Sequence, residues 1–292
     1  MTRVLLLGAN GQVGWELQRH CPPNIELKAL TRTQVDICEA EQVQNAAQSF
    51  RPDCIINTAA YTAVDRAESE STHAYAINKE GAKHCARAAA DYAARLIHLS
   101  TDFVFDGAQA SPYQPQDARH PLGAYGASKA AGEEQVQSIL GDNALILRTA
   151  WVYSAHGNNF VKTMLRLMEQ RDSLGIVGDQ IGSPTWAAGL AQAVWRAVAL
   201  ADFNGIQHWT DAGVASWYDF AVAIQEEALS MGRLARAIPI TMIPTAAYPT
   251  PALRPACAVL DKSASYAALG AAPHWRQALR QMLADVDSDG TP

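Results

Sequence analysis

The chain has 292 residues, 49% of them apolar, with 23 basic side chains against 29 acidic ones and a net charge of −6. That length supports a large buried core, in one domain or in a domain with a smaller partner lobe, and the acidic balance excludes a basic nucleic-acid surface. No apolar run reaches the roughly 18–20 residues of a membrane span, and the N-terminus "MTRVLLLGANG" lacks the usual form of a cleavable signal. Five scattered cysteines (Cys21, Cys38, Cys54, Cys85 and Cys257) without CxxC spacing fit reduced thiols in a cytoplasmic protein, and they leave no zinc site.

In chain order, "RVLLLG" (3–8) is a short apolar run ending in glycine and reads as a buried strand. Residues 12–21 show helical spacing of Val13, Leu17 and Cys21. The runs 25–30, 53–60, 95–101 and 144–153 read as further strands, and 39–50, 72–92 and 125–140 as helices. Alternation of continuous apolar strands with helices predicts a Rossmann-type α/β fold, a doubly wound parallel sheet covered on both faces. Beyond about residue 153 the pattern changes. Helices are expected over 157–170 and 216–229, a loop leading into a helix over 182–200, and irregular Pro-rich chain over 243–261. The tail "DVDSDGTP" is polar and reads as mobile. The expected division is a dinucleotide-binding domain over 1–153, with part of 182–205, and a smaller, less regular substrate lobe over most of 154–292.

"GANGQVG" places Gly8, Gly11 and Gly14 between the first strand and the first helix. The physical need for such glycines is a tight turn, close approach of a pyrophosphate to the backbone, and tight helix–strand packing. The phosphates would rest on N–H groups at the helix N-terminus. Dinucleotide sites specific for NAD usually carry an acid at the end of the second strand. Here that neighbourhood reads "ALTRTQVDI" and offers Arg32, which suits a 2′-phosphate. NADPH is therefore expected, with NADH an alternative. Asp36 and Ile37 follow, either as adenine contacts or as a helix cap and a core contact.

"STDFVFDG" (100–107) is followed by "YGASK" (125–129). On a helix, Tyr125 and Lys129 lie on one face, a turn apart. A cation near a phenol favours phenolate and lowers its pKa. A phenol so tuned can pass a proton to a ketone oxygen. Thr101 ends the fourth strand, where open α/β sheets bind ligands.

With these motifs in this order the chain resembles the extended short-chain dehydrogenase/reductases. Within them it is similar to the reductases of dTDP-linked 4-keto-6-deoxy sugars, along almost its whole length. "GANGQVGWEL", "NTAAYTAVDRAE", "STDFVFDG", "YGASKAAGE", "RTAWVY", "GNNFVKTMLRL", "GDQIGSPT" and "YPTPALRP" carry the resemblance. It implies reduction of the C4 ketone of dTDP-4-dehydro-L-rhamnose to dTDP-L-rhamnose, with Tyr125, Lys129 and Thr101 as catalytic residues. Gly11, Gln12, Val13, Asp36, Ile37, Ala60, Tyr61 and Thr62 would join Gly8, Gly14, Arg32, Tyr125 and Lys129 around the dinucleotide. Thr101, Asp102, Trp151, Asn159 and Arg254 would lie at the sugar nucleotide. Asn159 reads equally as a helix cap, and Trp151, without the resemblance, as core.

The chain departs from the family at several points. Phe103 stands where many relatives have Tyr, and "ACAVLD" follows "YPTPALRP", which puts polar contacts from Cys257 and Ala258 in doubt. Some relatives form a magnesium-linked dimer through glutamates. Glu16 is kept, but the position after "GSPT" reads "WAA", which weakens the case for both magnesium and that dimer. No metal ligand is assigned, and monomer and homodimer stay open. The alternatives to a reductase are an epimerase of the same fold, a dehydratase of the same fold, against which stands the single acid of "STDF", and a non-catalytic regulatory subunit, against which stand intact Thr101, Tyr125 and Lys129.

Overall fold

A computed structural model describes residues 1–285; the polar tail beyond Asp285, read as mobile, lies outside them. Five strands in chain order, β1 (Thr2–Leu7), β2 (Ile25–Leu30), β3 (Cys54–Asn57), β4 (Arg95–Thr101) and β5 (Ala144–Thr149), are joined by a sixth, Gly205–His208. Their order in the sheet is Gly205–His208, β5, β4, β3, β1, β2, and every neighbouring pair runs parallel. The chain winds outward from β1 to β2 and then returns to the other side of β1 as β3. That reversal opens a crevice at the C-terminal ends of β1 and β3, where such sheets bind ligands.

The strands alternate faces, and both faces are covered. Leu5, Leu7, Ile55, Leu96 and Ile146 pack under the layer formed by the helices Ala40–Phe50, Ala82–Asp91 and Ala124–Leu140. Val4, Leu6, Ile56, Ile97, Leu145 and Leu147 pack beneath the helices Gln12–Arg19 and Ala187–Ala199. Burial on both sides is why these strands read as unbroken apolar runs. A third core holds Tyr153, Met164, Phe220, Ile224, Trp275 and Leu279, among the helices Phe160–Gln170, Trp217–Ser230 and Trp275–Asp285. Two-residue strand pairs tie this lobe together, Val152–Tyr153 with Thr185–Trp186 and Ile181–Gly182 with Ala215–Ser216.

The elements differ from the sequence reading at two informative places. The run 144–153 is two strands, because Trp151 takes a left-handed backbone (φ +45°) and turns the chain out of the main sheet. The expected helix 72–92 is interrupted by a wide π-helical turn, Ala76–Gly81. There the side-chain amide of Asn78 accepts from the backbone N–H of Tyr61 at 2.9 Å and donates to its carbonyl at 3.1 Å.

Candidate active site

A cavity of about 780 Å³ opens at the crevice, within the range of small-molecule sites. One end is the glycine loop. Gly8 has φ +89°, and a Cβ there would come within 2.6 Å of the Ala59 nitrogen; a Cβ on Gly14 would meet the Gly8 carbonyl at 2.2 Å. Gly11 precedes the helix Gln12–Arg19, which has no side-chain cap and no acid in its first turn. Its leading N–H groups are therefore free to meet an anion. Gly8, Gly11, Gln12, Val13 and Gly14 all line the cavity, as do Arg32, Asp36 and Ile37. An acid does stand beside Arg32 in space: Arg32 Nε meets Asp36 Oδ2 at 3.1 Å. Asp36 Oδ1 in turn accepts from the Cys38 N–H at 3.0 Å.

Ala60 and Thr62 line the same wall. Tyr61, expected beside them, does not. Its ring is buried away from the cavity and its hydroxyl donates to Glu70 at 2.6 Å, because alternation along an extended segment sends it to the opposite side.

At the other end Thr101, Asp102, Phe103, Tyr125, Lys129 and Trp151 converge. β4 delivers Thr101, and Gly123 opens the helix that carries Tyr125 and Lys129 one turn apart. Lys129 is buried, and its Nζ donates to the Leu99 carbonyl at 2.6 Å. Burial pushes its amine down to about 8, while the charge of Glu133 pulls the other way. Burial raises the Tyr125 phenol to about 12, opposed by a hydrogen bond with Thr101 and reinforced by the charge of Asp102. The direction is opposite to the lowering expected from Lys129, because desolvation is the largest influence on the phenol. Asp102 is likewise raised by burial, to about 7. Its Oδ1 accepts from the Thr101 hydroxyl at 3.0 Å, and its Oδ2 is buried with no hydrogen-bond partner.

Trp151 lies over Gly182, where a Cβ would press into the indole at 2.6 Å. Its ring stacks on Trp217, a cavity residue at the start of the helix Trp217–Ser230 that no local sequence signal marks as a site residue. Asn159 lines the cavity and also caps the helix Phe160–Gln170, accepting from the Lys162 N–H at 3.1 Å. Its amide donates to Gln12 Oε1 at 3.1 Å, joining the lobe to the glycine loop. Arg254 reaches the cavity from the Pro-rich segment, held there by Asp65 through two nitrogen–oxygen contacts of 3.1 and 2.8 Å.

Glu16 is fully buried; Ser154 donates to its Oε1 at 2.8 Å, and Arg19 and His20 flank it. Among the described residues no group of three His, Cys, Asp or Glu is placed to hold a metal ion.

A glycine-lined dinucleotide crevice running into a Thr–Tyr–Lys cluster defines the class of the extended short-chain dehydrogenase/reductases. Comparison with known proteins narrows it. The family model described as the RmlD substrate binding domain matches residues 1–288. The dTDP-4-dehydrorhamnose reductases of Aggregatibacter actinomycetemcomitans and Escherichia coli K12 are 42% and 41% identical, over 97% of this chain and 99% and 97% of theirs. The crystal structure of a dTDP-4-dehydrorhamnose reductase from Bacillus anthracis, in complex with NADP, superposes with a TM-score of 0.90 at 35% identity, covering 98% of this chain and all of that one. The chain belongs to the dTDP-4-dehydrorhamnose reductase family.

Proposed function

We propose that this protein reduces the C4 ketone of dTDP-4-dehydro-L-rhamnose to dTDP-L-rhamnose with NADPH, in the cytoplasm. The observation that carries the chemistry is the convergence of Thr101, Tyr125 and Lys129 on the cavity that begins at the glycine loop. We assign residues 1–153, apart from the strand Val152–Tyr153 that belongs with the third core, to the dinucleotide lobe together with the helix Ala187–Ala199 and the strand Gly205–His208, and the remainder to the substrate lobe.

The dinucleotide, when bound, supplies the hydride. The uncapped N–H groups after Gly11 suit its pyrophosphate, and Arg32 suits a 2′-phosphate. Tyr125 is the general acid. A phenol held near 12 is fully protonated at neutral pH, which is the form that can donate to a developing alkoxide. Lys129, still mainly cationic below about pH 8, offsets the phenolate left behind. The unpartnered Oδ2 of Asp102 is an acceptor for a sugar hydroxyl. The Thr101 hydroxyl must leave Asp102 to donate to the ketone. Trp151 and Trp217 give the sugar an apolar wall, and Arg254 offers a cation to the diphosphate.

The test is turnover by the purified protein. Enzymatically generated dTDP-4-dehydro-L-rhamnose should drive oxidation of NADPH and yield dTDP-L-rhamnose. NADPH that is bound but never oxidised in its presence would favour a regulatory subunit.

A further inference from the structure

Beside the cavity, and behind the residues that line it, lies a fully buried carboxylate. Glu133 stands one turn after Lys129 on the helix Ala124–Leu140 and is 0% exposed. The Ser100 hydroxyl donates to its Oε1 at 2.5 Å. Arg148, itself 1% exposed, donates to the same carboxylate through Nε at 2.9 Å and Nη2 at 2.7 Å, and Arg119 adds a third cationic contact at 3.3 Å. Ser100 and Arg148 are direct partners across β4 and β5. One carboxylate therefore grips two adjacent strands at the level where β4 turns into Thr101 and Asp102.

Consecutive turns of one helix thus hold consecutive residues of one strand. Lys129 takes the carbonyl of Leu99 and Glu133 takes the hydroxyl of Ser100. Leu99 and Ser100 line the cavity together with the next two residues, Thr101 and Asp102. A buried ion pair is a poor device for stability, because well-packed apolar residues do as well or better. Its value here is geometric.

We propose that Glu133 is a positioning residue for the reduction: backed by Arg148, it fastens the end of β4 to the helix that carries Tyr125 and Lys129 and so fixes Thr101 against the phenol. The proposal rests on the assignment of Tyr125 and Lys129 given above. The charged and titratable groups that face Lys129 are Glu133 from its own helix and His98 from β4, the latter held neutral by burial and by the Lys129 charge. Asp102 faces Tyr125, and Arg119, Arg148 and His208 stand around Glu133. Removing Glu133 takes away the single anion on the Lys129 side, so the amine should lose its proton at lower pH.

Two variants test it. Ser100→Ala cuts the strand leg and leaves the ion pair intact. Glu133→Leu with Arg148→Met replaces the pair by apolar side chains of similar length. Both should bind NADPH as the wild type does, by fluorescence titration. In both, kcat should fall about tenfold, inside the ~10²-fold that ångström-scale misplacement costs. In the double variant the alkaline limb of kcat should also move to lower pH, a change that a merely structural role would not produce. Wild-type kcat in folded Ser100→Ala overturns the proposal, whatever becomes of the double variant. So does a folded double variant whose kcat and pH profile match the wild type. Tyr125→Phe, measured alongside, separates the layers. If it is inactive while the clamp variants turn over normally, only this inference fails; if it turns over normally, the assignment beneath fails with it.

Discussion

The indoles of Trp151 and Trp217 lie face to face, with ring centroids 3.5 Å apart and planes 6° from parallel. They come from different parts of the chain: Trp151 from the left-handed turn after β5, and Trp217 from the start of the helix Trp217–Ser230, which a Ser216–Asp219 capping box fixes. Phe160 packs on Trp217 with centroids 4.6 Å apart, so the wall is three rings deep. An aromatic pair of this kind contributes about 0.5–1.5 kcal/mol beyond its buried area. Trp217→Ala should therefore raise KM for the sugar nucleotide about 3- to 10-fold and leave dinucleotide affinity unchanged. An unchanged KM would remove Trp217 from the substrate wall.

Arg32 and Asp36 make a second pair with a consequence. Because Arg32 is neutralised by Asp36 at 3.1 Å, its removal uncovers a carboxylate at the rim of the cavity. Arg32→Ala should weaken NADPH binding more than NADH binding, since the 2′-phosphate loses a cation and meets an anion. Equal losses for the two dinucleotides would show that neither residue senses the phosphate.

Asp211 gives a stability expectation with a defined sign. It is fully buried, accepts from the Trp186 N–H at 2.9 Å and has its Oδ1 without a partner. Burial raises its carboxyl to about 7. A raised carboxyl favours the neutral native form, so its contribution is complete below the unfolded value near 4 and is lost as pH rises through about 7. The stability of wild type relative to Asp211→Asn should fall between those limits, by about 1.4 kcal/mol for each unit of raised pKa. Urea unfolding of both proteins at pH 4.5 and 8 reads this directly. A gap that does not change with pH would mean that Asp211 is charged throughout.

Chelation should have no effect. With Glu16 buried under Ser154 and Trp186 in place of an acid, EDTA is expected to leave turnover and solution mass unchanged. A chelator-induced drop in mass would restore the magnesium-linked dimer.

The parallel sheet was legible in the sequence because β1, β3, β4 and β5 are buried on both faces and appear as continuous apolar runs. The glycine loop and the Tyr125–Lys129 spacing were legible because each is set by local geometry, a tight turn in one case and a helical period in the other. What resisted reading depends on the third dimension. Trp217 looked like any first-turn residue until Trp151 bent back onto it. Arg254 and Arg32 stood as bare cations in the sequence, yet Asp65 and Asp36 neutralise them in space. The spacing alone points to a phenol lowered by Lys129, whereas the amine donates to the Leu99 carbonyl and burial shifts the phenol upward. Tyr61 shared a motif with Ala60 and Thr62, and only the extended backbone shows that it faces the other way. The short strands Leu174–Val177 and Ile240–Ile243 pair with each other across more than sixty residues, and no periodicity of four residues announces such a partner.

In the proposed reduction Tyr125 gives the proton. Tyr125→Phe removes the hydroxyl and keeps the ring, including its edge contact with Phe103, whose centroid lies 5.5 Å away. The measurement is kcat of this variant with dTDP-4-dehydro-L-rhamnose, taken beside its NADPH affinity. A fall of about 10²–10⁴ in kcat with little change in NADPH affinity is expected, as for loss of a positioned general acid. Turnover near that of the wild type would contradict the assignment.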